Sequence, residues 1–563
     1  GVVKHDFTPN IDATFTVGQN LNSRRYRQLA DEGDGLIAPF PLAIQNTVNK
    51  GASNLLNLVF PFAGTAEFRS LAHIESYFGQ GELSLYNQLV LNAGIRNDGF
   101  STFGASTRRH NFPKASAAWT FTNALGDRAK SILSYGKLHF AYGETGKEPP
   151  LYAAVTTLAS GQTFGSGYND AILSSINGQG GLVTSQTLGN PALRPERNRE
   201  NEYGADLAFL NNRIDLAATY YTRRADDVIL GVPVNSSGTG AQFAIKNAAS
   251  ITNKGTELTL NIRPFTRSAF AWDAGVQFGQ NRGNVKNLNG AEFIPYNSEG
   301  FNGGIGSSTV GFAPGVIRGS DFVRCGRGLI LADAANTNVD AVCGAAANAK
   351  QALYLGIDGK PIVDNTDRVI ADPNPKYTMS YRSSVTLLGK LRLSGLLDVR
   401  RGGQVWNQTL SVLNNFGTSK YTGDLRSQQG QFGKNFLTDV YPYVAGPGAG
   451  KVAFHNPAEW QAWFTGDGGG FGPATAQAVE DASYTKLREL SLSYTVEQAW
   501  VKSLTGFSTV DVRVGGRNLK TWTKYKGYDP EVNLGGAEYL TQGLDYFINP
   551  PTRSFVLALS FNR

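Results

Sequence analysis

Two runs near the C-terminus, VDVRVGGRNL (Val510–Leu519) and TRSFVLALSF (Thr552–Phe561), alternate between apolar residues and small or polar ones. Successive side chains of an extended strand point to opposite sides, so each run has one apolar face and one small or polar face. The polar face of the first run carries Asp511, Arg513 and Arg517. A soluble sandwich and the wall of a membrane barrel would both produce this pattern.

Similar alternating runs recur along the chain and predict about fourteen strands, most of them about 10 to 13 residues long. Strands in soluble sheets usually have about 5 or 6 residues, whereas a tilted strand needs about 9 to 11 to cross a membrane. The lengths therefore favour a membrane wall. The predicted strands lie near Asn10–Gln19, Glu67–Phe78, Glu82–Arg96, Phe112–Thr122, Ile132–Tyr142, Asn201–Leu210, Arg213–Arg223, Gly255–Arg263, Phe270–Asn281, Lys376–Leu388, Lys390–Arg401, Tyr484–Val496, Val510–Leu519 and Thr552–Phe561.

The predicted connections alternate between long and short. Short connections are predicted at Gly79–Gly81, Asn123–Ser131, Asn211–Asn212, Pro264–Ala269, Gly389 and Glu497–Thr509. They separate long connections at Leu21–Ala66, Gly143–Glu200, Ala225–Lys254, Arg282–Pro375, Gly402–Ser483 and Lys520–Pro551, and one of intermediate length at Asn97–Asn111. Long loops at one rim and short turns at the other are typical of bacterial outer-membrane barrels. The sequence therefore predicts an all-β fold, a transmembrane antiparallel β-barrel with long extracellular loops.

The composition agrees with a strand-built membrane protein. Only 17% of the 563 residues are charged, and the chain contains 66 glycines, 23 tyrosines and 32 phenylalanines. Soluble domains are usually nearer about 25% charged. No apolar run approaches the roughly 18 to 20 residues of a membrane helix. The net charge of +7 is scattered, so we predict no nucleic-acid partner.

The predicted long loops contain candidate site residues. The aromatic residues among them suit stacking on sugar rings or capture of peptide side chains, and packing of the loops on one another or an interfacial girdle would explain them equally well. Cys325 and Cys343 would form a loop-closing disulfide in an oxidising compartment. The candidate ligand-binding residues are Trp406, Trp460, Trp463, Trp522 and Tyr525.

The sequence contains none of the common catalytic, phosphate-binding or metal-binding motifs. The five histidines are scattered without metal-ligand spacing, and neither a G-x-S-x-G elbow nor a phosphate-binding P-loop occurs. We therefore predict that the chain is not an enzyme and has no cofactor or metal site. Arg513 and Arg517 are expected to pair with carboxylates of a neighbouring strand or of a plug, and the alternative is that they line a substrate path.

Several motifs in order along the chain resemble the C-terminal barrel of TonB-dependent receptors of the SusC/RagA type. None is specific alone, but together they cover the chain from about residue 90 to its end. They are LNAGIRNDGFSTFG (Leu91–Gly104), NFPKASAAW (Asn111–Trp119), KLHFAYGETG (Lys137–Gly146), LRPER (Leu193–Arg197), EYGADL (Glu202–Leu207), ITNKGTEL (Ile251–Leu258), DGKPIVDNTDRVI (Asp358–Ile370), PNPKYT (Pro373–Thr378), DASYTKLRELSLSY (Asp481–Tyr494) and RNLKTWTKYKGYDPEV (Arg517–Val532).

The resemblance implies that residues 1–563 are the C-terminal portion of a 22-stranded barrel in the bacterial outer membrane, with the N-terminal plug absent from this chain. It implies a TonB-coupled importer of a nutrient such as an oligosaccharide or peptide. The expected partners are membrane lipid and lipopolysaccharide, the TonB complex through the missing N-terminal region, and a SusD-like surface lipoprotein. The alternative is an outer-membrane scaffold that anchors a surface complex through its long loops without transport.

Overall fold

A computed structural model describes residues 1–29, 33–36, 47–50, 67–160, 175–176, 179–180, 182–296, 304–333, 335–425, 429–431, 443–465, 474–536 and 542–562. In these residues the main sheet has 16 strands, fifteen of which pair antiparallel in chain order and form what we call the wall. The sixteenth, Thr187–Leu188, pairs parallel with one wall strand. The wall strands are β1 (Val2–Thr8), β2 (Ile11–Leu29), β3 (Glu67–Leu85), β4 (Leu89–Phe100), β5 (Arg109–Trp119), β6 (Leu133–Lys147), β7 (Glu196–Phe209), β8 (Ile214–Pro233), β9 (Phe243–Arg267), β10 (Phe270–Asn287), β11 (Tyr377–Leu387), β12 (Leu391–Arg401), β13 (Tyr484–Val496), β14 (Thr509–Thr523) and β15 (Ser554–Asn562).

The wall confirms the predicted all-β architecture, with two corrections near its start. The alternation did not indicate β1, which forms a hairpin with β2. The predicted turn at Gly79–Gly81 is wrong, because β3 continues through these residues and pairs them with β2. The chain turns instead after Leu85, where Tyr86 and Asn87 have positive φ angles of 55° and 53°. A pair of glycines resembled a turn locally, but strand pairing determined their conformation.

Several strands are longer than predicted. The predicted long connection Ala225–Lys254 is wrong, since β8 and β9 extend into it with 20 and 25 residues and leave only residues 234–242 between them. The predicted loop Leu21–Ala66 begins later, because β2 ends at Leu29, and much of the rest of that loop lies outside the described residues. The extra length lies at one rim of the wall.

Connections of different kinds define the two rims. The short-turn rim contains residues 9–10, 86–88, 120–132, 210–213, 268–269, 388–390 and 497–508, and the loop rim contains residues 30–66, 101–108, 148–195, 234–242, 288–376, 402–483 and 524–553. The predicted alternation of rims is therefore retained, although two loop-rim connections are short. No helix in the described part of the chain is long and apolar enough to cross a bilayer.

The wall has an apolar face and a polar face. Leu393, Leu492, Val514 and Leu557 stand directly opposite one another on β12 to β15, and they are between 46% and 68% exposed. Side chains one residue along each strand belong to the other face. Leaving a side chain of this type in water rather than burying it costs about 1.5–3 kcal/mol. A row of them is therefore suited to an apolar solvent.

The buried core lies mainly in what we call the loop assembly, built by the loops 288–376, 402–483 and 524–553. Phe322, Leu353 and Phe454, from the first two loops, are fully buried in one cluster. Its helices are Val339–Ala349, Gln408–Asn415, Lys420–Leu425 and Pro457–Thr465, with a 3₁₀ turn at Thr475–Ala478. Its strands are Phe293–Pro295, Ile305–Thr309, Val316–Phe322, Leu353–Tyr354, Val363–Ala371, Gln404–Asn407, Val444–Ala445, Val479–Asp481 and Leu544–Asp545.

Short elements occupy the remaining connections. The short strands form three pairs, which are Gly33–Leu36 with Thr47–Lys50, Leu158–Ser160 with Leu182–Thr184, and Ser175–Ile176 with Gln179–Gly180. The helical turns are Ala105–Thr107, Phe121–Ala124, Asp127–Lys130, Ser236–Thr239 and Ala499–Thr505.

Candidate functional site

Ion pairs line the polar face near the C-terminal edge of the wall. Arg513 of β14 pairs with Glu489 of the neighbouring β13, and Arg517 lies 3.9 Å from the same carboxylate. The predicted pairing of these arginines with a neighbouring strand is confirmed. Charged side chains would be costly in a packed apolar core, and they suit a face that borders water.

A recess of about 230 Å³ opens on the polar face of β10 to β13. Asp273, Arg382, Arg392 and Glu489 contribute both signs of charge to its lining. Arg382 Nη2 donates to Asn261 Oδ1 at 2.7 Å, and Arg392 Nε donates to Ser384 Oγ at 2.7 Å. These bonds hold the arginine side chains along the wall and leave a polar recess beside them.

A buried charge network joins the loop 524–553 to the polar face. Lys486 of β13 is only 3% exposed, and its Nζ donates to both oxygens of Asp529 at 2.6 and 2.8 Å and also to Glu531. Arg488 donates to Asp398 of β12 at 2.7 Å and to Glu531. We call these five residues the charge network. It attaches the first part of the last loop to β13 on the polar face.

The environment of Glu531 shows how strongly the network favours its charged form. Burial alone would raise the pKa of this carboxyl. Hydrogen bonds from Arg488, Lys486 and Tyr484 outweigh burial and lower the pKa to about 2. A buried charge is tolerated when its partners satisfy it and is expensive when one partner is removed. The network is thus stable only as a complete set.

The structure places four of the five predicted ligand-binding aromatics inside the loop assembly. The ring of Trp460 stacks on Phe454 with centroids 4.1 Å apart, and Trp463 stacks on Phe322 at 5.9 Å. These rings contact protein, which favours the packing interpretation that the sequence left open.

Trp406 and Tyr525 each form a hydrogen bond within their own loop. Trp406 Nε1 donates to the carbonyl oxygen of Thr475 at 3.1 Å, and the Tyr525 hydroxyl donates to Asp545. Burial, and then the hydrogen bond to this carboxylate, raises the pKa of Tyr525. The phenol therefore stays protonated as a hydrogen-bond donor.

Trp522 differs from the other four aromatics, because it is 50% exposed. It lies next to the loop rim on β14, directly opposite Thr485 of β13, which is opposite Val399 of β12. Val399 alternates with Leu393 on the apolar face. Trp522 therefore occupies the position of an interfacial aromatic.

A cleft of about 510 Å³ in the loop assembly brings a different set of residues together. The helix Gln408–Asn415 contributes the amide of its last residue, Asn415, and the middle of the helix Pro457–Thr465 contributes the amide of Gln461. Phe416, which is 69% exposed, and part of Trp460 add aromatic surface. None of the described residues that line the cleft is charged. The cleft is therefore neutral, with amide and aromatic groups side by side.

Cys325 and Cys343 are joined in a disulfide that closes a segment within the loop 288–376. Asp340, inside this segment, accepts hydrogen bonds from the backbone N–H groups of Gly326 and Gly328 at 2.6 and 2.8 Å. Among the residues that the structure describes, no group of His, Cys, Asp and Glu could hold a metal ion. The disulfide segment is thus held by its own covalent and polar contacts.

Sequence reasoning missed both the charge network and the cleft. Asp529 and Glu531 lie in a motif that carries the family resemblance, but nothing in the motif shows that Lys486 is their partner, 43 residues away from Asp529. The available signal was the Lys486 and Arg488 pair at the start of a predicted strand, where apolar alternation is interrupted. Amides and a phenylalanine in a loop give no comparable signal.

Comparison with known proteins finds relatives that all belong to one family. The family model described as TonB dependent receptor-like, beta-barrel matches residues 3–318. TonB-dependent receptor P3 of Formosa agariphila is 26% identical over 86% of this chain and 45% of its own length, and TonB-dependent receptor SusC of Bacteroides thetaiotaomicron is 24% identical over 86% and 43%. The chain thus spans about half the length of the curated relatives that it matches.

A solved structure has the same fold. The structure of the RagAB peptide transporter matches 99% of this chain and 54% of its own chain, with a TM-score of 0.68 at 17% sequence identity. The fold, the two faces of the wall and the matched family agree. The chain belongs to the β-barrel family of TonB-dependent receptors and is a protein of the bacterial outer membrane.

Proposed function

We propose that this barrel is part of a TonB-dependent importer that carries a nutrient such as an oligosaccharide or a peptide across the outer membrane without changing it chemically. The observation that carries the proposal is the division of one continuous sheet into an apolar face and a charged face. The apolar row at Leu492 and Val514 suits lipid, and the recess bordered by Arg382 and Glu489 suits a hydrated path. Membership of the family supports the coupling to TonB.

The cleft in the loop assembly supports a neutral cargo. Ligand sites generally combine apolar or aromatic surface with a few polar groups that fix orientation. Phe416 and the edge of Trp460 offer rings, and Asn415 and Gln461 offer amides that suit hydroxyl or peptide groups. Of the predicted aromatics, Trp460 is therefore the one that we propose as a ligand contact.

Two partners belong to the same proposal. The TonB complex would supply energy through a region that precedes this barrel in the whole protein. A SusD-like surface lipoprotein would cover the loop rim. The solved structure with the same fold is described as the RagAB peptide transporter. Co-purification of the whole protein with such a lipoprotein tests the second partner. Recovery of the receptor alone after mild extraction contradicts it.

Uptake by cells that express the whole protein tests the function. Labelled neutral oligosaccharides and peptides should accumulate in the periplasm only in cells with an intact TonB system. Phe416→Ala and Gln461→Ala should lower that uptake, whereas Phe312→Ala, an exposed ring outside the cleft, should leave it unchanged. If no substrate accumulates in a TonB-dependent way while the protein is present on the surface, the scaffold alternative gains support.

A further inference from the structure

Two basic side chains lie side by side on the apolar face of the wall, toward its loop rim. Lys254 of β9 stands directly opposite Arg282 of β10, and both are exposed. Leu258 and Phe278 are also directly opposite each other, four residues nearer to the short-turn rim and on the same face. The alternation therefore places Lys254 and Arg282, which we call the basic pair, on the face that meets the bilayer.

The basic pair has no carboxylate partner in the described part of the chain. On the neighbouring β8, Asp226 is already engaged by Arg224 at 2.8 Å and by Arg199 at 3.3 Å. Like charges directly opposite each other on neighbouring strands are destabilising. The basic pair is thus a positive site beside ion-paired residues of β8, and the carboxylate of Asp226 there is already shared by two arginines.

The height of the basic pair follows from the geometry of β9. Phe265 lies near the short-turn end of this strand and Lys254 about eleven residues farther along, which at about 3.3 Å per residue and a tilt of about 40° gives roughly 28 Å along the membrane normal. The apolar band of an outer-membrane barrel is about 25 Å tall. Because long loops face outward in such barrels, the basic pair lies at the level of the outer-leaflet headgroups.

We propose that the basic pair binds the phosphate of a phosphorylated glycolipid of the outer leaflet. The planar guanidinium of Arg282 and the compact ammonium of Lys254 are the two groups that proteins use most for phosphate. Thr256 and Gln280 stand opposite each other two residues below the pair, and Thr252 lies two residues above it. These neutral hydroxyl and amide groups suit the sugar that carries the phosphate. The site is independent of the cargo, so uptake can fail while lipid binding remains.

Binding of lipid A to the purified protein in a neutral polyoxyethylene detergent tests the proposal, with native mass spectrometry as the readout. The double variant Lys254→Gln/Arg282→Gln should bind lipid A at least tenfold more weakly than the wild type. Arg128→Gln/Lys130→Gln is the matched control, because it removes the same charge at the short-turn rim. This control should bind lipid A like the wild type. Lys254→Arg, which keeps the charge, should also retain binding.

Two further probes identify the recognised group. Dephosphorylated lipid A should bind weakly and equally to the wild type and the Lys254→Gln/Arg282→Gln variant, and inorganic phosphate should not displace lipid A. Unchanged lipid A affinity in that variant, or an equal loss in the control variant, would overturn the proposal. So would undiminished binding of the dephosphorylated lipid, or displacement by inorganic phosphate alone. Unchanged heat-dependent gel mobility verifies that each variant is folded.

Discussion

Lys486 and Lys254 are both lysines of the wall, and their surroundings differ in almost every respect. Lys486 lies on the polar face, is nearly inaccessible, and is held by Asp529 and Glu531 of the last loop. Lys254 lies on the apolar face, is exposed, and is opposite another cation, Arg282. Lys486 is neutralised by carboxylates of the same chain, whereas Lys254 is available to bind the phosphate of a lipid.

The comparison shows that the contribution of a charged side chain to the stability of this wall depends on its burial and its ion-pair partners more than on its residue type. A buried cation that loses its partners is costly, and an exposed ion pair contributes little. The same rule extends to Arg513, an exposed member of a pair with Glu489. Variants graded by burial should therefore have effects that follow the same order.

Lys486→Met should have the largest effect. Removing the ammonium leaves Asp529 and Glu531 without their shared donor, and breaking a buried ion pair costs about 3–5 kcal/mol. We expect the loop 524–553 to detach from the wall, which hydrogen exchange and limited proteolysis of this loop would measure. Lys254→Met is the control and should leave both readouts unchanged. Equal protection of the loop in Lys486→Met and the wild type would show that the network does not hold it.

A pair of tryptophans tests the role of burial without any charge. Trp460→Ala removes a ring stacked on Phe454 in the core of the loop assembly, and truncation of a buried aromatic costs about 3–5 kcal/mol. We expect faster proteolysis in the loops 402–483 and 288–376. Trp522→Ala removes a half-exposed ring and should change proteolysis little. Comparable sensitivity of the two variants would contradict the placement of Trp460 in the core.

Acid should weaken the attachment of the last loop through Glu531. The pKa of Glu531 is about 2 in the folded protein and 4.5 ordinarily, so this group stabilises the attachment fully above about pH 4.5 and loses its contribution as the pH falls toward 2. Because the side chain is partly exposed, we expect a loss on the order of 2 kcal/mol. Hydrogen exchange of the loop between pH 5 and pH 2.5, corrected for intrinsic rates, measures it.

Glu531→Gln is the control for this acid effect. In this variant, hydrogen exchange of the loop should lack the part of its pH dependence that comes from Glu531. The loop should also exchange faster at neutral pH than in the wild type, because the amide cannot replace the negative charge that pairs with Lys486 and Arg488. An identical acid profile in the wild type and Glu531→Gln would assign the weakening to other carboxyl groups.

The wall could be predicted from the sequence because its signal is local. Each strand carries its own alternation, as Leu391, Leu393, Leu397 and Val399 show on β12. Where the local signal conflicted with pairing, the prediction failed. Gly79 lies in the middle of β3 because β2 and β4 both pair with this region, and glycine residues in one stretch do not reveal their partners.

The loop assembly could not be predicted, because its contacts join distant parts of the chain. Trp463 packs on Phe322 from another loop, and Trp406 bonds to Thr475 within its own loop but 69 residues away. The sequence shows aromatic rings among polar residues, and this pattern is the same for a ring that binds a ligand and for one that packs a loop. Only the buried positions of Trp406 and Trp463 distinguish the two roles.

Arg513→Gln should have the smallest effect of the series. This arginine pairs with Glu489 on the polar face as Lys486 pairs with Asp529, but its side chain is 50% exposed. Exposed ion pairs contribute about 0–1 kcal/mol, because water solvates either charge when the other is removed. The unfolding temperature in detergent should therefore shift by little, and the small difference from the wild type should vanish at high salt. A loss as large as that of Lys486→Met would mean that Glu489 is shielded from water in the intact barrel, and the contrast between buried and exposed pairs would not hold on this face.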